Sequence, residues 1–409
     1  MKKSSAYSLL YQIYQNQPIT RRELAVQIDL SMNSISTIVN QLVDSGLVIE
    51  DVFQGKFPGR PAGLLSIRPD SGKVVGLDID GDYSRGVLCD LNANILTSFI
   101  SSTKVISEPE AILEDLISII RKVCNQANNE PSNLLGVGIG VRGIVNVRTG
   151  VVVDWPNTPA WAKAWTELRL IPIMKDRLGI EPVLVDDTVR AMGVTAYRHG
   201  PAKGCENFLY VFLGSGIGSG IFINGWPYLG QSGITGELGH VTIDENGALC
   251  SCGNRGCLEL VASTPALLRQ VKQRLEETRL VSVLREPFER NSLTLDSLLS
   301  AARSRDKLAF QVLDEAGDSI GKVLATYINL LDPELVILGG PLAQDGGIIQ
   351  DAVQRQVRLR ALQHIARDFQ ITSDKPGEFL GAQGAAIMTM DRIFGSTEYL
   401  DRLVSRFPG

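Results

Sequence analysis

The sequence predicts an α/β protein in two parts, a small winged helix-turn-helix at the N-terminus and a duplicated α/β body that carries a structural zinc site. Three observations predict it. Residues 1–70 hold short capped helices followed by a strand that turns and returns. From Lys73 onward a series of strand, glycine turn and strand occurs twice. Within Gly236 to Glu259 the chain reads Gly-Glu-Leu-Gly-His and then Cys250-Ser-Cys252-Gly-Asn-Arg-Gly-Cys257-Leu-Glu259. Thiolate and imidazole are the ligands zinc prefers, and four of them close a tetrahedral structural site.

Bulk composition bounds the rest. With 409 residues, 44% apolar and 21% charged, the chain is expected to hold two or three ordinary globular domains. A net charge of −5 excludes a generally basic nucleic-acid coat protein, while leaving room for a small DNA-binding module on an acidic body. Cys89, Cys124 and Cys205 lie scattered outside the zinc cluster, which is no disulfide framework and suits a reducing cytoplasm. The stretch after Lys2 and Lys3 is amphipathic and too polar for a signal peptide. No apolar run has the length of a membrane span, so no membrane partner is expected.

In the head, Leu9, Leu10, Ile13 and Tyr14 recur at helical spacing until Pro18 breaks the pattern. Thr20 with Glu23 forms a capping box that starts a short helix over 21–28. Ser31 caps a second helix from Met32 to about Ser45, and Gly46 stops it. Residues 47–52 read as a strand and 64–67 as its return, with Lys56 and Arg60 at the tip between them. Small polar side chains on the second helix suit base edges and phosphates. The expected DNA contacts are Arg21, Arg22, Ser31, Asn33, Ser34, Ser36, Thr37, Asn40, Lys56 and Arg60. Three-helix units also serve as interaction modules or dimer caps. The net charge over residues 1–43 is only +2, so one copy should bind DNA weakly and a dimer on two half-sites is the natural remedy.

In the body, residues 74–82 form a buried strand ending in an acidic turn, 85–89 and 95–100 complete a meander, a helix spans about 108–126, and 135–140 is a further buried strand. The second series begins with the strand at 208–213, the glycine loop Gly214–Gly220 and a return at 221–224; later a strand at 335–338 ends in Gly339 and Gly340. Two similar halves with a cleft between them follow, and ligands of such folds sit at the carboxyl ends of strands. The expected boundaries are 1–70 for the head, 71–200 for the first lobe and 201–409 for the second, with the C-terminal helix free to return to the first lobe. The small residues of Gly381-Ala-Gln-Gly-Ala-Ala-Ile-Met suit close packing, within the chain or between copies.

On these residues the chain resembles the ROK family (repressors, uncharacterised reading frames and sugar kinases), over roughly 73–395 and, with the head, over the whole chain. The resemblance implies an actin-like, hexokinase-like (ribonuclease H-like) ATPase-type body. It implies that His240, Cys250, Cys252 and Cys257 bind zinc. It also implies that Glu237, His240 and Glu259 face a sugar, together with Asp186, Asp187 and Asn157. One nitrogen of His240 can then hold the metal while the other meets a hydroxyl.

A kinase of this family needs more. Asp187 in Val183-Leu-Val-Asp186-Asp187-Thr188-Val189-Arg190 matches the general base, but Asp186 and Val189 replace the family's two asparagines. The first phosphate loop, Asp-x-Gly-Gly-Thr in the kinases, is here Asp78-Ile79-Asp80-Gly81-Asp82. Two added carboxylates facing phosphates oppose ATP, since one like-charge pair at 4 Å costs roughly 4 kcal/mol at an effective dielectric near 20. The second loop, Gly214-Ser215-Gly216-Ile217-Gly218, is nearly intact, and Arg142 stands where the family has Pro. The expectation is therefore a cytoplasmic, sugar-responsive transcription regulator with no catalytic residue. Its implied partners are operator DNA, a monosaccharide in the cleft, structural zinc and further copies of itself as a dimer or tetramer. The competing expectations are an ATP-dependent sugar kinase that carries a DNA-binding head, and a regulator whose ligand is another protein.

Overall fold

A computed structural model describes residues 3–28, 30–52, 63–80, 83–102, 109–155, 166–278, 281–375 and 377–407. The head follows its sequence punctuation. Helix α1 (Lys3–Asn16) is followed by the short strand β1 (Ile19–Thr20) and by α2 (Arg21–Gln27). Thr20 and Glu23 cap α2 reciprocally, the Glu23 amide donating to Thr20 Oγ1 at 3.2 Å and the Thr20 amide donating to the Glu23 carboxylate at 2.8 Å. Helix α3 (Met32–Asp44) starts at Ser31, whose Oγ accepts from the Ser34 amide. It buries Ile35, Ile38, Val39 and Leu42 and leaves its polar residues outside. Strands β2 (Val48–Val52) and β3 (Gly63–Ile67) pair antiparallel to make the wing, with β1 on the other side of β3. Lys56 and Arg60 lie outside the described residues.

The body repeats one sheet plan twice. The first lobe contributes β4 (Lys73–Ile79), β5 (Tyr83–Asp90), β6 (Ile95–Ser102), α4 (Pro109–Gln126) and β7 (Gly136–Val141). These are followed by the hairpin β8 (Ile144–Asn146) and β9 (Val151–Asp154), then α5 (Leu170–Leu178), β10 (Val183–Asp187) and α6 (Thr188–His199). Its sheet runs β10-β7-β4-β5-β6, with β10, β7 and β4 parallel and β5 and β6 antiparallel.

The second lobe contributes β11 (Phe208–Leu213), β12 (Ile217–Ile223), β13 (Trp226–Pro227), α7 (Glu259–Ala262), α8 (Thr264–Glu277), α9 (Arg285–Glu289) and α10 (Leu295–Arg303). After these come α11 (Lys307–Leu331), β14 (Leu335–Gly339), α12 (Ile348–Arg360), α13 (Gln363–Asp368) and β15 (Ile371–Ser373). Its sheet runs β15-β14-β11-β12-β13 with the same parallel and antiparallel pattern. The duplication read from the sequence is thus a duplication of strand order as well.

The chain then returns. Helix α14 (Leu380–Phe394) lies across β4 and β7 of the first sheet and against α6, and α15 (Thr397–Val404) follows. The small residues of α14 serve packing within the chain: a Cβ on Gly384 would sit 1.8 Å from the Ala191 carbonyl of α6.

Helix α1 docks on this returning helix. Tyr14 stacks on Phe394 with centroids 4.1 Å apart, and its hydroxyl donates to Asp391 at 2.8 Å. Arg198, in the last turn of α6, donates to Asp391 at 2.6 Å and to Gln15 Oε1 at 3.1 Å. Head, first lobe and one face of the second sheet therefore share one continuous apolar cluster, from Leu9 and Ile13 through Val74, Phe208 and Phe222 to Phe394 and Leu403. The six cysteines are free. Among the described residues no helix is long and apolar enough to cross a membrane.

Candidate functional site

One turn and two helix starts bring the predicted cleft residues together. Asp187 ends β10 and caps α6; one of its oxygens accepts from the amides of Val189 and Arg190 at 2.9 and 3.0 Å. Glu237 opens the short turn that carries His240, whose amide donates to the Glu237 carbonyl at 3.0 Å. This turn lies directly on β12. Gly236 has φ +87°, and a Cβ there would meet the Ser219 carbonyl at 1.7 Å, so only glycine fits. Glu259 at the start of α7 is buried, and its Oε2 accepts from the Ile217 amide at 2.9 Å.

The electrostatics tie these groups to one another. Burial first, then the negative charges of Asp187 and Glu259, push the Glu237 carboxyl up to about 7, while Arg190 opposes the rise. Burial also raises Asp186 and Asp187, again against Arg190. Arg190 is the residue that sequence reasoning missed. It is 2% exposed, holds Asp186 through Nε at 2.7 Å, and donates to the carbonyls of Thr235 and Gly233 across the cleft at 3.1 and 3.4 Å. Its i,i+4 spacing from Asp186 was the available signal. Asp186 was expected as a sugar contact, and the structure commits one of its oxygens to this ion pair. Asn157 lies outside the described residues.

The zinc-type cluster is assembled as the spacing predicts. The ligand atoms of His240, Cys250, Cys252 and Cys257 all lie within 4.8 Å of one another. His240 Nδ1 is 3.7 Å from Cys250 Sγ, and Cys252 and Cys257 Sγ are also 3.7 Å apart. The loop between them is closed by the Cys250 amide on the Asn254 carbonyl at 2.7 Å. One imidazole and three thiols at this separation fit a tetrahedral metal ion of zinc's chemistry.

On the far side of the cleft the phosphate loop carries an ion pair. Asp80 meets Arg85 at 2.6 Å, and its other oxygen accepts from the Tyr83 amide at 2.6 Å. Arg85 also lies 3.8 Å from Asp78. Asp78 is buried, accepts from Thr188 Oγ1 at 2.8 Å, and burial pushes its carboxyl up to about 6. Asp80, expected as a bare charge facing phosphates, is instead paired with the Arg85 guanidinium. Asp82 lies outside the described residues. A cavity of about 440 Å³ remains here, bounded among others by Asp78, Arg85, Arg142, Phe212 and Asp374. The Arg142 guanidinium stands 5.2 Å over the Phe212 ring and so reaches from the first lobe to the second.

In the head, Asn33, Ser34, Thr37, Asn40, Ser31 and Arg22 are exposed, and Ser36 is half-buried. Arg21, expected on DNA, is half-buried and paired within the module. It donates to both Glu50 oxygens at 2.9 and 2.7 Å and to Asn40 at 2.8 Å.

The ROK family model matches residues 74–392, and the MarR family model matches residues 3–49. The chain is 29% identical over 393 residues to a xylose repressor of Bacillus subtilis (strain 168), covering 96% of each chain. It is 28% identical to a glucokinase of Thermotoga maritima, over 79% of this chain and 99% of the glucokinase. A solved structure described as a ROK family transcriptional regulator, homolog of the E. coli MLC protein, superposes with a TM-score of 0.83 at 26% identity over 99% of each chain. The glucokinase accounts for a length close to the body alone, whereas the repressor and the regulator account for head and body together.

Proposed function

The chain belongs to the ROK family, with a MarR-type helix-turn-helix ahead of the family body, and from that premise we propose that it is a sugar-responsive transcriptional repressor. It binds operator DNA through the head and a monosaccharide in the cleft. The observation that carries this reading is the combination of an exposed polar recognition face on α3 with a kept sugar half and an altered phosphate half of the cleft. Asp187, Glu237, His240 and Glu259 supply acceptors for sugar hydroxyls from both lobes. Xylose is the first candidate, because the relatives matched over nearly their full length include xylose repressors.

Asp187 holds hydroxyls and the start of α6 rather than acting as a base. His240 and the three thiolates would hold the zinc, which would fix the imidazole so that its other nitrogen could meet a hydroxyl. A sugar gripped from both lobes favours their closed arrangement by its differential affinity, and operator affinity changes by the same coupling free energy. A dimer on two half-sites compensates for the weakly basic head.

The test is fluorescence anisotropy of purified protein on fragments from its own promoter region, with D-xylose, D-glucose and N-acetyl-D-glucosamine added in turn. One fragment should bind, and one sugar should lower its affinity about five-fold or more. Failure of every fragment to bind, or steady ADP release from Mg-ATP with a hexose, would overturn the reading.

A further inference from the structure

We propose that the β12–β13 hairpin, with Trp226 and Pro227, is the contact through which movement of the second lobe reaches the DNA-binding head. The inference rests on the repressor reading above and supplies the physical link between cleft and head.

Strand β12 runs from one to the other. At its start the Ile217 amide is bonded to Glu259 of the cleft, and Ser219 donates through both amide and hydroxyl to the Gly236 carbonyl, at 2.8 and 2.9 Å. At its end Ile223 pairs with Trp226 across the hairpin. Seven residues of strand span roughly 23 Å at about 3.3 Å per residue. Any shift that a ligand imposes on the Gly236–His240 turn is therefore carried along a hydrogen-bonded strand, which transmits it as a rigid rod.

The far end of that strand lies at the seam where the head is attached. Trp226, Pro227 and Gly225 bound a small cavity of about 40 Å³ with Gln15, Arg198 and Asp391, the polar groups that fasten α1 to α6 and α14. The hairpin turn is braced against the C-terminal end of α6: a Cβ on Gly225 would meet the Tyr197 hydroxyl at 2.6 Å. Beside it lies an open groove of about 340 Å³, walled by Trp226, Pro227, Tyr11 of α1, and Met388 and Arg392 of α14. Trp226 is 46% exposed, so no core depends on it, yet it borders head, first lobe and second lobe together. The head rides on the first lobe through Tyr14, Gln15, Arg198 and Asp391. A second-lobe displacement moves the indole along the groove against Tyr11 and alters how α1 sits.

The test uses full-length protein and the three sugars named above. Trp226→Ser should keep sugar affinity by calorimetry, and operator affinity without sugar, each within about threefold of wild type. The drop in operator affinity caused by sugar should shrink to under about twofold, and Trp226→Phe should restore it. Sugar should also change the emission of Trp226, read as the difference between wild type and Trp226→Phe. A Trp226→Ser protein that keeps the wild-type sugar response overturns the proposal. So does one that loses sugar binding or sugar-free operator binding, since the residue is then structural. A wild type that no sugar releases from DNA sinks the repressor reading, and this inference with it.

Discussion

Burial holds the Asp78 carboxyl at about 6 against an ordinary value of 3.8, with Thr188 and Arg85 pulling the other way. Between those values the folded chain keeps a proton that the unfolded chain has released. Stability from this group is therefore full at the acid end and falls as pH rises from about 4 to about 6. Asp78→Asn keeps an acceptor for Thr188 and removes the penalty. It should stabilise the protein at pH 7.5 by about 2–3 kcal/mol at most, and by nothing near pH 4, in urea unfolding at the two pH values. At the metal cluster, Cys257→Ser should lose bound zinc by elemental analysis and lower the melting temperature by about 5 °C or more, since structural zinc contributes folding free energy directly. Retention of both would remove the cluster's structural role. The side chains that the sequence left invisible here are arginines. Arg85 neutralises Asp80 because Asp78 and Arg85 are opposite one another in the β4–β5 register, with Asp80 just beyond. Which residue each side chain meets across a sheet is set by register, and so by the turn between the strands as well as by the hydrophobic pattern.

At the scale of elements, local signals did well. The capping box at Thr20, the Ser31 cap and the polar face of α3 all follow from residue chemistry and short spacings, which need no tertiary information. Their limit shows in neighbouring arginines. Sequence position makes Arg21 and Arg22 equivalent, but Arg21 is locked in a forked pair with Glu50 on the wing strand while Arg22 is exposed. Arg22→Ala should weaken operator binding and reduce the slope of log affinity against log salt by about 1. Arg21→Ala should instead act mainly on head stability, by about 1 kcal/mol, with little change in salt slope. Equal salt-slope changes in the two variants would contradict the assignment. Helix α6 was not read from the sequence; only the strand ahead of it, with Asp186 and Asp187, was. Its second role, reaching the head through Arg198, depends on α1 and α14 meeting at its far end.

For the whole molecule, the duplicated body was legible because each half repeats strands ending in glycine, and a repeated pattern survives even where single strands are ambiguous. The His/Cys cluster and its flanking glutamates were legible because ligand type and spacing are local. The docking of the head was not. The sequence divides near residue 70, but the apolar face of α1 is completed by residues more than three hundred positions later, and contacts of that separation leave no periodic trace.

That docking has a consequence for the birth of the protein. Chains emerge from the ribosome N-terminus first and tend to fold in that order. Here α1 leans on Phe394 and Asp391, with the Tyr7 hydroxyl on Asp401, all synthesised more than three hundred residues after it. A nascent chain halted before α14 lacks the seat on which α1 packs, so a head held in this position is available only after α14 and α15 have emerged.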